Sequence, residues 1–433
     1  MPESENRPPI LTTVSEQVPL SQKILIMSNA PFIRIRRNDG HILTEICERV
    51  LAPVLRLKAR AVDARPLATV PRRILAVKVH GLGDSVMVRS ILEHFHRRHG
   101  EVEIGVMAGA ANRDVLTTGS EYQVHQYDQR MLSAGTILRT LADIRKRRYE
   151  AAIDFEQGSL AGSAFIRATG IPVRVGFIPL SSSAKAALLT HPIRFREEDS
   201  MWMSFIRLMR IIDRDFPEES STIPLPLDDH TRRSTREWMR SKTCHLTDQA
   251  IAFHLGSGRT YRRWPVERFI LLGERLRLQK PNLVIVLTGQ PSERPLIEQF
   301  VSGYSGPVVD ATGLDSIVKT AALLADCEVV VSNDTGIMHL GAAMGAPTVG
   351  IFGSASPRRW APVGPHATSV CASGVTCSPC AETYLLRDPI DCANPDRMRC
   401  LREISVEMVV DAVRRVVSEN PQQSFMQAAT AAP

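Results

Sequence analysis

Three short stretches carry the side chains best suited to chemistry, and each stands where an apolar run gives way to a helical pattern. "SNDTGIMH" (Ser332–His339) follows the run "CEVVV". Asn333 or Asp334 can cap the helix that comes next, and Thr335 and Gly336 fall in its first turn, where free backbone N–H groups favour phosphate. His339, one turn later, could donate a hydrogen bond to the same oxygens. In "HLGSGRTYRRWP" (His254–Pro265), Gly256, Ser257 and Gly258 let the backbone approach an anion, and Arg262 and Arg263 supply positive charge beside it. A solvated basic turn is the plainer reading of that loop. In "HGLGDS" (His80–Ser85), Asp84 stands at a helix start. It either caps the helix or, kept ionised by the positive helix end and facing a cleft, serves as a general base.

Other candidate chemistries are weaker. "HGLGDS" begins like a dinucleotide fingerprint, but Val86 holds the place of the third glycine and no acidic residue ends a strand about 20 positions on, which argues against hydride transfer. "DRD" (Asp213–Asp215) has the spacing of two metal-binding carboxylates but follows an apolar helix rather than a strand. Cys377 and Cys380 form a C-x-x-C pair, with Cys392 and Cys400 in the same loop-rich segment. Four such thiolates could enclose a structural zinc or an iron; free thiols and disulfides are the alternatives, and nearby Cys371 complicates the ligand count. Cys47, Cys244 and Cys327 look isolated.

The three loops need strands and helices to hold them. From Arg72 the chain alternates: "ILAVKV" (Ile74–Val79) as a strand, "VMVRSILEHFHRRHG" as a helix whose basic last turn stops at Gly100, then strands in "VEIGVM" and "AAIDFEQG" (Ala151–Gly158). Such alternation implies a parallel sheet covered by helices, with ligands at the strands' carboxyl ends. A polar, proline-broken stretch (residues 216–247) reads as a linker. The same grammar then restarts with "AIAFHLGSG", a helix in "PVERFILLGERLRL", and strands in "NLVIVLTG", "CEVVVSNDTG" and "APTVGIFG". The expected organisation is an N-terminal extension of unknown role (1–70), an α/β domain (71–215), the linker, a second α/β domain with the cysteine cluster (248–420) and a disordered tail (421–433). Two such domains leave a ligand-binding cleft between them.

A length of 433 residues suits two domains rather than one core. The net charge of +7 and pI near 9.1 favour an anionic partner, while aromatics at 5% with no basic run among them argue against nucleic acid. No stretch approaches the roughly 18 uncharged apolar residues of a membrane span, and the acidic, proline-containing start does not read as a secretory signal. The cytoplasm is the expected compartment. "HILTEICERVLAPVLRLKAR" (His41–Arg60) has helical apolar spacing and could lie on an anionic membrane surface or pack on its own domain.

Taken in order, these loops resemble glycosyltransferase family 9, the heptosyltransferases of lipopolysaccharide synthesis. The matching residues are "ILAVKVHGLGDSVMVRSIL", "AIDFEQGSLAGSAFIRATGIPVRVGF", "IAFHLGSGRTYRRWPVERF", "VIVLTGQPSE", "DATGLDSIVKTAALLADCEVVVSNDTGIMHLGAAMGAPTVGIFGSASPRRWAPVGP" and "CSPC" with its distal cysteines, spanning about Arg72 to Val417. The resemblance implies a GT-B fold of two Rossmann-like α/β domains facing a central cleft. It also implies transfer of a heptose from an ADP-sugar with inversion, with no cofactor or metal needed for catalysis.

The N-terminal domain would hold a lipid A-core acceptor and the C-terminal domain the donor, in the cytoplasm at the inner face of the membrane, with peripheral membrane contact and no nucleic acid. Asp84 matches the family's base, Arg262 a diphosphate-contacting position usually held by lysine, and Asp334 the acidic residue at the donor sugar. Thr335, Gly336 and His339 match the diphosphate end of that motif, and Glu293 a ribose contact, with Gly256 and Ser257 in the donor loop. Arginine at 262 keeps the charge but replaces a point charge by a planar fork. Another nucleotide sugar, a catalytically silent sugar-nucleotide-binding partner and a sugar-nucleotide epimerase are the competing functions. Retention of Asp84, Arg262 and Asp334 argues against the silent partner.

Overall fold

The computed structural model describes residues 64–127, 134–178, 183–196, 198–218, 221–243, 250–381 and 391–419. The expected helix His41–Arg60, the tail 421–433, Cys47 and Cys244 lie outside the described residues. Two parallel six-stranded sheets organise the rest. The first contains β1 (Arg73–Lys78), β2 (Glu103–Ala108), β3 (Gln123–Gln126), β4 (Ala151–Asp154), β5 (Val173–Ile178) and β6 (His191–Arg194), in the order β3-β2-β1-β4-β5-β6. The second contains β7 (Ala250–His254), β8 (Val284–Thr288), β9 (Val308–Asp310), β10 (Val329–Asn333), β11 (Thr348–Phe352) and β12 (Ala367–Cys371), in the order β12-β11-β10-β7-β8-β9. Each sheet therefore repeats one connectivity, the third strand of its half at one edge and the first beside the fourth. The expected pair of Rossmann-like domains is what forms.

The strands are apolar on both sides because helices cover both faces, and alternate residues feed different cores. In β1, Ile74 and Ala76 join Phe95, Phe205 and Phe216 on one face, while Leu75 and Val77 join Ile144, Phe165 and Ile166 on the other. In the second sheet, Ile251 and Phe253 meet Trp264, Phe269 and Val413, whereas Ala250 and Ala252 meet Leu323, Leu324 and Leu340. The last residues of the expected extension belong to the first domain, since Ala64, Leu67 and Val70 pack on its core and Leu67 N donates to Ile211 O at 2.8 Å.

The expected linker is not all irregular. Asp229–Lys242 is a helix capped by Asp228, with Trp238 against the second domain's core and Arg236 paired to Asp326 at 2.7 Å. Asp213 serves packing rather than a metal, taking Arg98 Nε and His99 Nε2 at 2.8 Å each. Among the described residues no helix is long and apolar enough to cross a membrane.

Strand order dictates where ligands go. In each sheet the direction of winding reverses between the first and fourth strands, which opens a crevice at their carboxyl ends. These reversals fall between β1 and β4 and between β7 and β10, so the loops they bring together are 79–84 with 155–159 and 255–265 with 334–336.

Candidate functional site

At the first reversal the chain buries charge. Lys78, the last residue of β1, is 1% exposed, and its Nζ lies 2.8 Å from Asp84 Oδ2 and 3.4 Å from Glu156 Oε1. Burial alone would lower the lysine's pKa, but the Asp84 and Glu156 carboxylates more than offset it and the pKa is raised. Glu156 is likewise penalised by burial, yet Lys78 and His80 hold it far below the usual carboxylate range. Its Oε1 also accepts the backbone N–H groups of Val79 and His80, at 2.7 and 2.9 Å. Gln157 Nε2 donates to Asp84 Oδ2 at 2.8 Å.

Gly81, with φ 79°, makes the turn from β1 into the helix Leu82–Arg98, a backbone state that suits glycine. No side chain caps that helix, so Asp84 is not a cap: its carboxylate turns to Lys78 and Gln157.

At the second reversal Asn333 joins the loops. Its Oδ1 accepts from Trp264 N at 2.9 Å and its Nδ2 donates to Leu255 O at 2.8 Å. It is therefore a clamp and not the expected cap. Thr335 is the N-cap residue of the helix Gly336–Ala343, and its side chain makes no capping bond. Ser159, Ser200 and Ser405 cap the helices Leu160–Thr169, Met201–Ile212 and Val406–Ser418, whereas Val266–Gln279 and Arg294–Gly303 also start without a side-chain cap. The two helices that start at the site thus keep their first N–H groups clear of side-chain caps, which leaves positive ends for an anion.

Arg262 Nη1 lies 3.4 Å from Asp334 Oδ2. Arg263, the other basic candidate, instead donates to Ser257 O at 3.0 and 2.7 Å and so braces the loop. Glu293 caps its own turn through Gln290 N at 2.8 Å, and its other oxygen lies over Gly256, where any Cβ would overlap it. His254 is buried beside Thr288, at 3.1 Å, and burial lowers its pKa. Trp264 is core, donating from Nε1 to Ile404 O at 3.1 Å.

The two crevices meet. A Cβ built on Gly336 would lie 2.6 Å from Leu82 Cβ, and one built on Gly83 would lie 2.5 Å from His339 Cδ2. Only glycines let the helix starts approach this closely. His339 is buried in the contact, and burial pushes its pKa down to about 4, with the Asp84 carboxylate pulling the other way. A second junction ties Arg359 Nη2 to Arg196 O at 2.8 Å and Thr222 Oγ1 to Val363 O at 3.0 Å.

One fold repeated around one shared cleft is a common plan, and comparison with known proteins decides which family uses it here. The family model described as "Glycosyltransferase family 9 (heptosyltransferase)" matches residues 137–388, more than half of the chain. The chain belongs to glycosyltransferase family 9. Lipopolysaccharide heptosyltransferase 2 of Escherichia coli is 23% identical to this family 9 enzyme over 299 residues, 66% of this chain and 84% of that protein. Lipooligosaccharide heptosyltransferase 2 of Haemophilus influenzae is 28% identical over 113 residues, 25% of this chain and only 32% of that protein. The crystal structure of a family 9 glycosyltransferase from Veillonella parvula superposes with TM-score 0.68 at 19% identity, covering 84% of this chain and all of that one, and shares the GT-B fold.

The family 9 match begins beyond Asp84, so the place of that residue rests on geometry. Asp84, Arg262, Asp334, Thr335, Gly336 and His339 gather at the junction, and Glu293, Gly256 and Ser257 line the second crevice. Lys78, Glu156 and Gln157 were not expected there. The signal for them was a lysine inside the apolar run "ILAVKV", where every neighbour is a core residue.

The cysteine cluster of this glycosyltransferase lies just past the carboxyl end of β11: a Cβ on Gly353 would lie 3.1 Å from Cys400 Sγ, and Cys380 N donates to Ser354 O at 2.8 Å. Cys377 and Cys392 accept N–H bonds at 3.1 and 3.2 Å, and burial with the neighbouring thiols pushes Cys400 up to about 11. Among the described residues, no three potential ligands are gathered as a metal sphere.

Proposed function

We propose that this enzyme moves a heptose from ADP-heptose to an inner-core lipopolysaccharide acceptor, with inversion at the anomeric carbon and without a catalytic metal. The observation that carries the reading is the junction itself: two uncapped helix starts meet, one carrying Asp84 and the other with an arginine and an aspartate beside it. Names of relatives, ADP-heptose lipopolysaccharide heptosyltransferase II of E. coli among them, support the donor and the acceptor class.

In this reading the donor diphosphate lies at Thr335–Gly336 and Arg262. Charge that grows on the leaving group meets the helix end and the guanidinium, which does the work a divalent cation does elsewhere. Asp334 holds the sugar, and Glu293, above Gly256, meets the ribose. Asp84 removes the acceptor's proton as that oxygen attacks the face opposite the departing diphosphate. Charge complementarity supports it too, since a pI near 9.1 suits an anionic nucleotide and an anionic glycolipid.

The lipid-bound acceptor brings the enzyme to the inner face of the cytoplasmic membrane by peripheral contact. Cys377, Cys380, Cys392 and Cys400 are proposed to close around a structural zinc or iron.

Calorimetric titration tests the donor: ADP-heptose, ADP and GDP-, UDP- and dTDP-sugars are compared with chelator and then with magnesium. Selective binding of ADP-heptose in chelator is expected. Preference for another sugar nucleotide would replace the donor, and binding of none would favour a silent partner.

A further inference from the structure

A lysine at the end of a core strand needs a reason, because lysines are almost never fully buried unless paired, and buried ion pairs seldom add stability. The pairing here is directional. Asp84 Oδ2 receives two donors, Lys78 Nζ and Gln157 Nε2, both at 2.8 Å. Among the described residues no donor meets Oδ1. Rotation of the carboxylate would break both bonds at once.

We infer that Lys78 and Gln157 are positioning residues, which hold Asp84 by Oδ2 and so reserve Oδ1 for the acceptor's proton, with Glu156 holding Lys78 in place. The inference rests on the reading of Asp84 as the base. During transfer the acceptor O–H bond breaks and its proton goes to Oδ1, while the oxygen's electron pair forms the new bond to the sugar. The bond from sugar to diphosphate breaks, and that pair leaves with the phosphate. Lys78 keeps its proton throughout, consistent with a pKa raised by its two carboxylates.

The support runs deeper than one pair. Glu156 fixes Lys78 at 3.4 Å while its Oε1 also takes two backbone N–H groups. The loop that carries Glu156 and Gln157 is itself pinned from below. Lys185, buried, donates to Glu156 O at 2.5 Å and lies 3.2 Å from Asp154, and Asp154 Oδ1 accepts from Glu156 N at 3.1 Å. Two buried lysines and two acids, Glu156 and Asp154, thus set one oxygen atom of Asp84.

The test compares Gln157→Met, Lys78→Met, Lys78→Arg and Asp84→Asn in steady-state transfer from ADP-heptose, with thermal melting of each. Gln157→Met should lower kcat about tenfold and Lys78→Met about a hundredfold, within the range general-base catalysis supplies. Donor KM should stay within about twofold, because neither residue touches the donor side. Lys78→Arg should recover part of kcat. Lys78→Met added to Asp84→Asn should cost nothing more, since both act through one carboxylate.

A kcat within twofold of the parent for Gln157→Met or for folded Lys78→Met, while Asp84→Asn has lost turnover, would overturn the positioning role alone. So would a further full loss in the double variant. Retained turnover in Asp84→Asn would overturn the base assignment beneath it. Should Lys78→Met melt early, Gln157→Met carries the test.

Discussion

Gly336→Ala is the perturbation that most directly probes how the two domains work together. The added methyl carbon would lie 2.6 Å from Leu82 Cβ and 2.9 Å from Gly83 N. Neither neighbour is a flexible side-chain end. Carbon atoms settle about 3.5–4.0 Å apart, so the helix starts must separate by about 1 Å. A displacement of that size between reacting groups costs on the order of a hundredfold in rate, equivalent to about 2.7 kcal/mol of barrier. The fold should not suffer, because the wedge lies between domains and alanine is the better helix former by up to about 1 kcal/mol. Expected, then, is a kcat near a hundredth of the parent's at saturating ADP-heptose, with an unchanged or slightly raised melting temperature. Gly100→Ala is the control, since the nearest atom to its new carbon is His96 O at 3.9 Å. A Gly336→Ala enzyme within about threefold of the parent would refute the view that chemistry uses this closed contact.

Two further outcomes are expected. His339 is buried and neutral with a pKa pushed down to about 4, against about 6.5 when unfolded. Between those values only the unfolded chain takes up the proton, so stability falls as pH drops through the window, by about 2 kcal/mol from about pH 7.5 to about pH 5. Denaturant melts of His339→Gln should lack that increment, and equal losses in parent and variant would disprove it. Elemental analysis should find about one zinc or iron per chain, lost in Cys377→Ser; a metal-free, fully active protein would discard the metal at the cysteines.

The sequence was most readable where strands are central. "ILAVKV", "AIAFH", "VIVLT" and "CEVVV" are apolar at all but one position each because helices cover both faces, and each supplies a strand. Edge strands gave no such signal: "QVHQ" (β3) and "HPIR" (β6) are short and half polar. The linker hid a helix because Asp229–Lys242 is polar on most of its surface and buries little beyond Thr235 and Met239.

At the site, residue types picked out the loops that meet at the junction but not each side chain's task. Asn333 and Asp84 both fit helix caps, yet the first clamps two loops and the second faces a buried lysine. Which neighbour a polar side chain chooses depends on strand order, and order is set by non-local pairing. Lys78 and Glu156, 78 residues apart in sequence, could not be paired from spacing.

In the proposed function Asp84 serves as the base in sugar transfer across this junction. The most direct test of that role is paired calorimetry and turnover on Asp84→Asn with ADP-heptose and an inner-core acceptor. Expected are a donor affinity within about twofold of the parent and a kcat reduced on the order of a hundredfold or more. Unchanged turnover, or loss of donor binding with turnover per bound donor intact, would contradict that role.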